Sequence, residues 1–381
     1  MIKIAIFHHY GGWGGAGLML YNLTEELVRA GHEVHILLPE GKLAGFIHRD
    51  FPSVHLRYIS YIHDFPHYSG GSYFALHPGF ILRFLRSRRV DHDFESFMRK
   101  VAPTHLILNS SVLIPYLGKT RLINPEIKTI LVIQENVASG LFGLRKDYLR
   151  RLTESYSNLT LFISEFDQRQ FHIRSRQGIM RNWISRKSLL PEREDGEVGK
   201  VGMLYMGGLS RLKGLHVLLR AVCLLRARGI SEPLTILGEM QNTSRNPLER
   251  RLFDNLLRSV SGVQVYGNVE ETAAFIATSS VVVFPITKPH QGRPIMEAGR
   301  YSKPVVATNF KALREDLIHD HNGLMFRNGK VTELANVLER MLADADRLQR
   351  MGEANRTMYE ALHTRKNAYV LLNYLSNGEV K

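Results

Sequence analysis

A single cysteine, Cys223, stands in the 381 residues of this chain. No internal disulfide can therefore form, and the paired-cysteine spacing of zinc fingers is excluded. Its setting, "AVCLLRA", is apolar, so the expectation is a buried thiol without chemistry of its own, in keeping with a reducing cytoplasm. Also missing is any apolar run approaching a membrane span. The opening "MIKIAIFHHYGG" is a short strand running into glycines, not a basic segment followed by a long apolar one. The expectation is a soluble cytoplasmic chain, neither exported nor threaded through a membrane. Aromatic residues do not interleave with the basic ones as in readers of single strands, and no nucleic-acid partner is expected. Short-period repeats and low-complexity tracts are absent.

What the sequence does have is apolar content, 44%, enough for two ordinary cores, and an excess of 50 basic over 36 acidic residues, a formal +14. That excess favours phosphate-bearing or polyanionic partners; a merely solvated basic surface accounts for it equally well. Short β-rich runs alternate with helical patterns: "KIAIF", "LMLYNLTEELVRA", "EVHILLP", "HLILN", "KTILVI", "LTLFIS". This order predicts α/β structure with a parallel sheet. A polar stretch, "LLPEREDGEVGK" (189–200), interrupts it, and a second series follows: "VGMLYMG", "GLHVLLRAVCLLRARG", "LTILG", "VQVYG", "SVVVFP", "KPVVAT". Leu334, Val337, Leu338, Met341 and Leu342 then recur at helix spacing. The division expected is a Rossmann-like domain over 1–190, a second over 197–360, and a C-terminal helix, 361–381, returning to the first.

Open parallel sheets bind ligands beyond the carboxyl ends of their strands, so the space between two such sheets is the expected site. Four stretches would line it. In "HHYGGWGGAGL", Gly14, Gly15 and Gly17 stand just before a helix with Leu20, Leu23 and Leu27 on its buried face, where backbone can approach a phosphate or sugar. The same stretch reads Gly12-x-Gly14-x-x-Gly17, with Glu40 at the end of the next strand, which admits a dinucleotide-binding reading. "HHYG" before Gly12 makes its loop longer than that fingerprint requires. In "YMGGLSRLKGLHVLL", Arg211 and Lys213 precede an apolar helix, well placed for a departing diphosphate or, equally, for solvent. In "ILGEM" and "VYGNVEE", Gly238 and Gly267 can admit a flat base, with Val269 beside them. The fourth stretch, "GRPIMEAGRYSKPVVATN", puts one carboxylate, Glu297, among apolar and small residues, after a loop containing Gly292 and Arg293.

Taken in order, "GGAG", "GGLSRLKG", "GNVEE", "MEAGRYSKPVVAT" and "HNGLMF" resemble the retaining glycosyltransferases of family four, with the GT-B architecture of two Rossmann-like domains facing across a cleft. The resemblance implies that Glu297 hydrogen-bonds the ribose of a nucleotide-sugar. Pro294 would set the helix start and place Glu297 in its first turn; a plain helix-start acid is the competing reading. The family's other glutamate, which touches the donor sugar, is replaced by Pro289, leaving His290 and Gln291 as candidates. Its arginine after the first glycine of the second-domain turn is replaced by Gly208, with Arg211 as compensation.

Where relatives carry a histidine, the strand "KTILVI" ends in Gln134-Glu135-Asn136. Gln134 and Glu135 either orient sugar or acceptor hydroxyls or cap the loop. For the acceptor side, "FILRFLRSRR" sets Phe80, Ile81, Phe84 and Leu85 opposite Arg83 and Arg86, with Arg88 and Arg89 following. It reads as a surface for an anionic membrane or as an ordinary inward-packing helix. The reading that results is a peripheral, metal- and cofactor-independent transferase acting from a nucleoside-diphosphate sugar onto a glycan or lipid-linked hydroxyl. Its alternatives are a non-catalytic nucleotide-sugar-binding or scaffold subunit and a dinucleotide oxidoreductase.

Overall fold

A computed structural model describes residues 1–59, 78–135, 137, 141–184, 202–238, 247–267, 269 and 272–380, with backbone alone for 78–88, 141 and 247–250. The chain divides into two compact units, one of residues 1–188 with 365–381 and one of residues 189–364.

The first unit is built on β1 (Lys3–Phe7), β2 (Glu33–Pro39), β3 (His55–Ile59), β4 (His105–Leu108), β5 (Lys128–Ile133), β6 (Leu159–Phe162) and β7 (Gln177–Ile179), in spatial order β3-β2-β1-β4-β5-β6-β7. Every pairing is parallel. Such strands are buried on both faces and so read as continuous apolar runs; β4 and β6 are buried at every position. One face packs on the helices Gly15–Arg29, Lys42–Asp50 and Tyr369–Asn377, and the other on Pro78–Val101 and Pro115–Ile123.

The second unit has β8 (Gly202–Met206), β9 (Leu234–Leu237), β10 (Val263–Val265), β11 (Ser279–Phe284), β12 (Val305–Thr308) and β13 (Gly323–Phe326), all parallel, ordered β10-β9-β8-β11-β12-β13. The expected α/β class, with two Rossmann-like halves, is thus the observed one. In each sheet the order reverses beside its first strand, between β1 and β4 and between β8 and β11. The loops leaving those strands frame a crevice at the carboxyl ends.

Several local expectations need correction. The first helix begins at Gly15, with Gly14 as an extended N-cap, so Gly15 and Gly17 lie within it. Glycines here answer to packing: a Cβ on Gly17 would stand 2.3 Å from the Gly12 carbonyl, and one on Gly41, the N-cap of Lys42–Asp50, 2.3 Å from the Gly11 carbonyl. Cys223 is only partly buried, at the edge of the second unit's core, with Sγ 3.8 Å from Ser259 Oγ. The 189–200 stretch lies outside the described residues. So do the side chains of Phe80, Ile81, Arg83, Phe84, Leu85, Arg86 and Arg88, although the backbone of Pro78–Val101 is helical and Arg89 is exposed.

The last helix, Tyr369–Asn377, belongs to the first unit. Its Leu371, Tyr374 and Leu375 are buried with Met180, Trp183, Leu159 and Leu161. Arg365 reaches Glu26 at 3.0 Å, and Arg176 donates to the Gly378 carbonyl at 2.6 Å.

Candidate active site

In the second unit the candidate glycines meet through their backbones. The amides of Gly207 and Gly208 both donate to the Leu237 carbonyl, at 3.0 and 2.9 Å, and the Gly238 amide donates to the Gly267 carbonyl at 3.1 Å. The turns after β8, β9 and β10 are thereby stitched together. Gly238 (φ 117°) is obligatory on two counts, its left-handed backbone and the 2.6 Å that would separate a Cβ from the Gly208 nitrogen. Val269 packs, partly buried, against the neighbouring core.

Across the reversal point, the loop carrying Arg211 and Lys213 is locked to the loop that leaves β11. The Thr287 amide donates to the Leu212 carbonyl at 2.9 Å, and its hydroxyl reaches the carbonyls of Arg211 and Leu212 at 3.1 Å each. Gly214, at φ 80°, packs so tightly that a Cβ would overlap the Pro285 carbonyl oxygen. The backbone under the two cations is therefore fixed. Their side chains make no hydrogen bond or ion pair among the described residues. Lys213 is exposed as a residue, yet its surroundings are crowded enough that desolvation lowers its ammonium pKa, with the charge of Glu297 pulling it back up. Lys213 and Glu297 are thus electrostatic neighbours.

Glu297 itself lies on the helix Arg293–Arg300, with Gly292 as N-cap and Pro294 in the opening positions. That start puts Glu297 beyond the first turn, contrary to the expectation. Arg293, one turn earlier on the same face, donates Nη2 to Oε1 of Glu297. The other oxygen, Oε2, accepts no hydrogen bond among the described residues and is the fully unengaged acceptor of the carboxylate. Gly292 is required where it stands, since a Cβ would sit 2.2 Å from the Phe284 ring.

Of the two substitutes for the missing glutamate, Gln291 is used internally, donating to the Ala312 carbonyl at 2.6 Å. His290 remains. Its Nδ1 lies 3.0 Å from the Lys288 carbonyl, which can only accept, so Nδ1 carries the proton and Nε2 of the neutral ring is an acceptor. Burial is the main cause that lowers its pKa; the bond to Lys288 opposes this and the charge of Lys213 adds to it.

The first unit's crevice has a different chemistry. Gln134 Nε2 donates to Asn109 Oδ1, and His8 Nδ1 lies 3.2 Å from Asn109 Nδ2 and 3.4 Å from its carbonyl. His8 is fully buried, and that burial, with His9 next, holds its pKa well below the ordinary value. Glu135 receives Ser110 Oγ at 2.8 Å and both the amide and the hydroxyl of Ser111 at 3.0 Å, with His9 Nε2 3.8 Å away. It caps the short helix Ser111–Leu113 from outside. His8, His9, Asn109, Ser110 and Ser111 escaped the sequence reading; polar residues directly after the runs "KIAIF" and "HLIL" were the available signal.

Residues 200–344 match the family described as Glycosyl transferases group 1. Among curated proteins, the chain is 31% identical over 158 residues to a D-inositol 3-phosphate glycosyltransferase of Pseudarthrobacter chlorophenolicus, covering 41% of this chain and 38% of that one. It is 22% identical over 156 residues to the capsular polysaccharide biosynthesis glycosyltransferase CapM of Staphylococcus aureus, covering 41% and 40%. The matches thus span about two fifths of those relatives' length. Among solved structures, HepE of Anabaena in complex with UDP and glucose superposes with a TM-score of 0.75 at 16% identity, over 99% of this chain and 100% of that one. The sucrose-phosphate synthase of Thermosynechococcus elongatus does so with a TM-score of 0.75 at 16% identity, over 99% of each. Residues 200–344 are therefore similar to group 1 glycosyltransferases, and the fold is that of GT-B glycosyltransferase structures.

Proposed function

We propose that this chain is a retaining glycosyltransferase of family four, moving a hexose-like sugar from a nucleoside-diphosphate donor to a hydroxyl of a glycan or lipid-linked acceptor in cell-surface polysaccharide synthesis. The observation that carries the reading is the locked pair of loops beside β8 and β11, which carries Arg211 and Lys213, with Lys213 an electrostatic neighbour of Glu297 and His290. Oε2 of Glu297 accepts from a ribose hydroxyl, and the turns of Gly208, Gly238 and Gly267 admit the base. His290 Nε2 accepts from a sugar hydroxyl, in place of the carboxylate that Pro289 removes. As the bond from sugar to phosphate breaks, negative charge grows on the diphosphate, and Lys213 and Arg211 stabilise it more than they stabilise the intact donor. No metal is assigned to that task.

The acceptor approaches on the leaving-group side, and the departing phosphate takes its proton. Gly14 and Gly15, at a helix N-terminus, belong to the donor contacts of the first unit. Gln134 and Glu135 shape its polar wall. The solved relative's title names UDP and glucose as its ligands, which supports a nucleotide-sugar donor here. Attachment at the inner face of the membrane, through Arg83, Arg86, Arg88 and Arg89, belongs to the same reading.

The test is incubation with a panel of nucleotide-sugars and chromatographic reading of released nucleoside diphosphate. Release from one donor, enhanced by a glycan or lipid acceptor, supports the proposal. Tight binding without release would favour a non-catalytic nucleotide-sugar-binding subunit, the reading that Pro289 and Gly208 suggest.

A further inference from the structure

At the opposite end of the first sheet, where β1 to β3 begin, the face that packs on the helix Pro78–Val101 changes character. Along that face Ala5, Phe7, Leu37 and Ile59 are core. Two residues earlier, the strand register brings Lys3, His35 and Arg57 onto the same side, with His35 opposite His55. Here the sheet and helix do not close. They leave a cavity of about 320 Å³ lined by Lys3, His35, His55, Arg57, Lys100 and the buried Phe97.

The charges do not cancel. Glu33 takes Lys3 at 3.3 Å and His35 Nε2 at 2.8 Å, and it is the carboxylate paired with these groups. Arg57 is bonded through one nitrogen to the neutral Ser96 hydroxyl at 3.3 Å. Lys100 and His55 have no hydrogen bond or ion pair among the described residues. The two imidazoles stack at 4.6 Å, fixing both rings at the wall. Among the described residues, three permanent cations against one carboxylate, drawn from four separate elements around an apolar floor, form an anion receptor; Arg beside Lys suits the oxygens of a phosphate in particular. The volume exceeds that of inorganic phosphate and falls at the small end of ligand pockets.

We propose that this cavity binds a small organic phosphate, at a site distinct from the donor crevice because it lies at the amino ends of the strands. The full chain is titrated with glucose 6-phosphate and, separately, with inorganic phosphate. The imidazole resonances of His35 and His55, assigned through His35→Gln and His55→Gln, are followed by NMR. Both resonances should shift saturably, at lower concentration for the sugar phosphate than for phosphate. The double variant Arg57→Gln/Lys100→Gln should raise the apparent Kd about tenfold or more, because both charged donors are lost. A saturating mixture of UDP, GDP and ADP should leave the shifts in place. Absent shifts, unchanged affinity in the double variant, equal affinity for the two probes, or abolition by the nucleotides would each overturn the proposal.

Discussion

The two crevices at the reversal points of the two sheets are built alike and filled differently. In the first, most polar groups are engaged with one another, while the buried Nε2 of His8 has no hydrogen-bond partner among the described residues. Asn109 engages His8 and Gln134, and Glu135 receives Ser110 and Ser111. In the second, the backbone is what is satisfied, through Thr287 and the glycine turns, while Arg211, Lys213 and Oε2 of Glu297 have no hydrogen bond from the protein among the described residues. Unspent charge on a rigid support is what a charged ligand needs, because its binding then breaks no internal bond and orders no loop. A polar wall whose Asn109, Gln134 and Glu135 are already engaged contributes shape and a fixed surface.

The sharpest way to break this contrast is Lys213→Ala. If Lys213 serves the leaving group, kcat should fall about a hundredfold or more with a small change in KM, as measured by steady-state release of nucleoside diphosphate. A rise in KM at constant kcat would make it a uniform binding contact. The same residue predicts the alkaline side of the pH profile. Desolvation lowers its pKa, so the protonated, active form is lost as pH rises, and the rate should fall at a pH below the ordinary lysine value. Lys213→Arg should move that limb to higher pH.

Next in size is Glu297→Gln. With Oε2 unengaged and Oε1 bonded to Arg293, at least one charge-assisted bond is at stake, and calorimetry should show the nucleoside diphosphate binding more weakly, by about tenfold or more. An unchanged Kd in a folded variant would leave Glu297 as a partner for Arg293 and nothing more. Glu135→Gln probes the first crevice, where the contrast predicts lost stability and retained donor affinity. Denaturant titration should show a loss of about 1–2 kcal/mol, because three donors lose an ionised acceptor. The smallest effect is expected from excess EDTA, which should leave the release rate unchanged if the two cations carry the leaving-group charge; loss of rate restored by a divalent ion would reassign that role.

How much of this was legible in the sequence depends on the range of the interactions. The strands and the glycine turns could be read because parallel strands are apolar throughout and their ends are marked by "GG", "LG" and "YG". Glu297 was found, but its turn was misplaced, because Pro294 marks a helix opening only to within a residue and Arg293 is already helical. The ion pair with Arg293 could have been read from the four-residue spacing. The first crevice was largely invisible. His8 and Asn109 are 101 residues apart, and Glu135 reaches Ser110 across 25. No local pattern reports that two strands far apart in the chain will be neighbours, so only Gln134 and Glu135, standing at the end of a conspicuous strand, were singled out.

The helix Tyr369–Asn377 has one further consequence, for the order of events during synthesis. The first 188 residues emerge before the segment 365–381 that completes their unit, and the whole of residues 189–364 is made in between. Until then Met180, Trp183, Leu159 and Leu161 lack the cover of Leu371, Tyr374 and Leu375. The unit translated first is thus the one finished last, and a ribosome stalled before residue 365 holds a nascent chain with an apolar face open to whatever chaperone or neighbouring chain meets it.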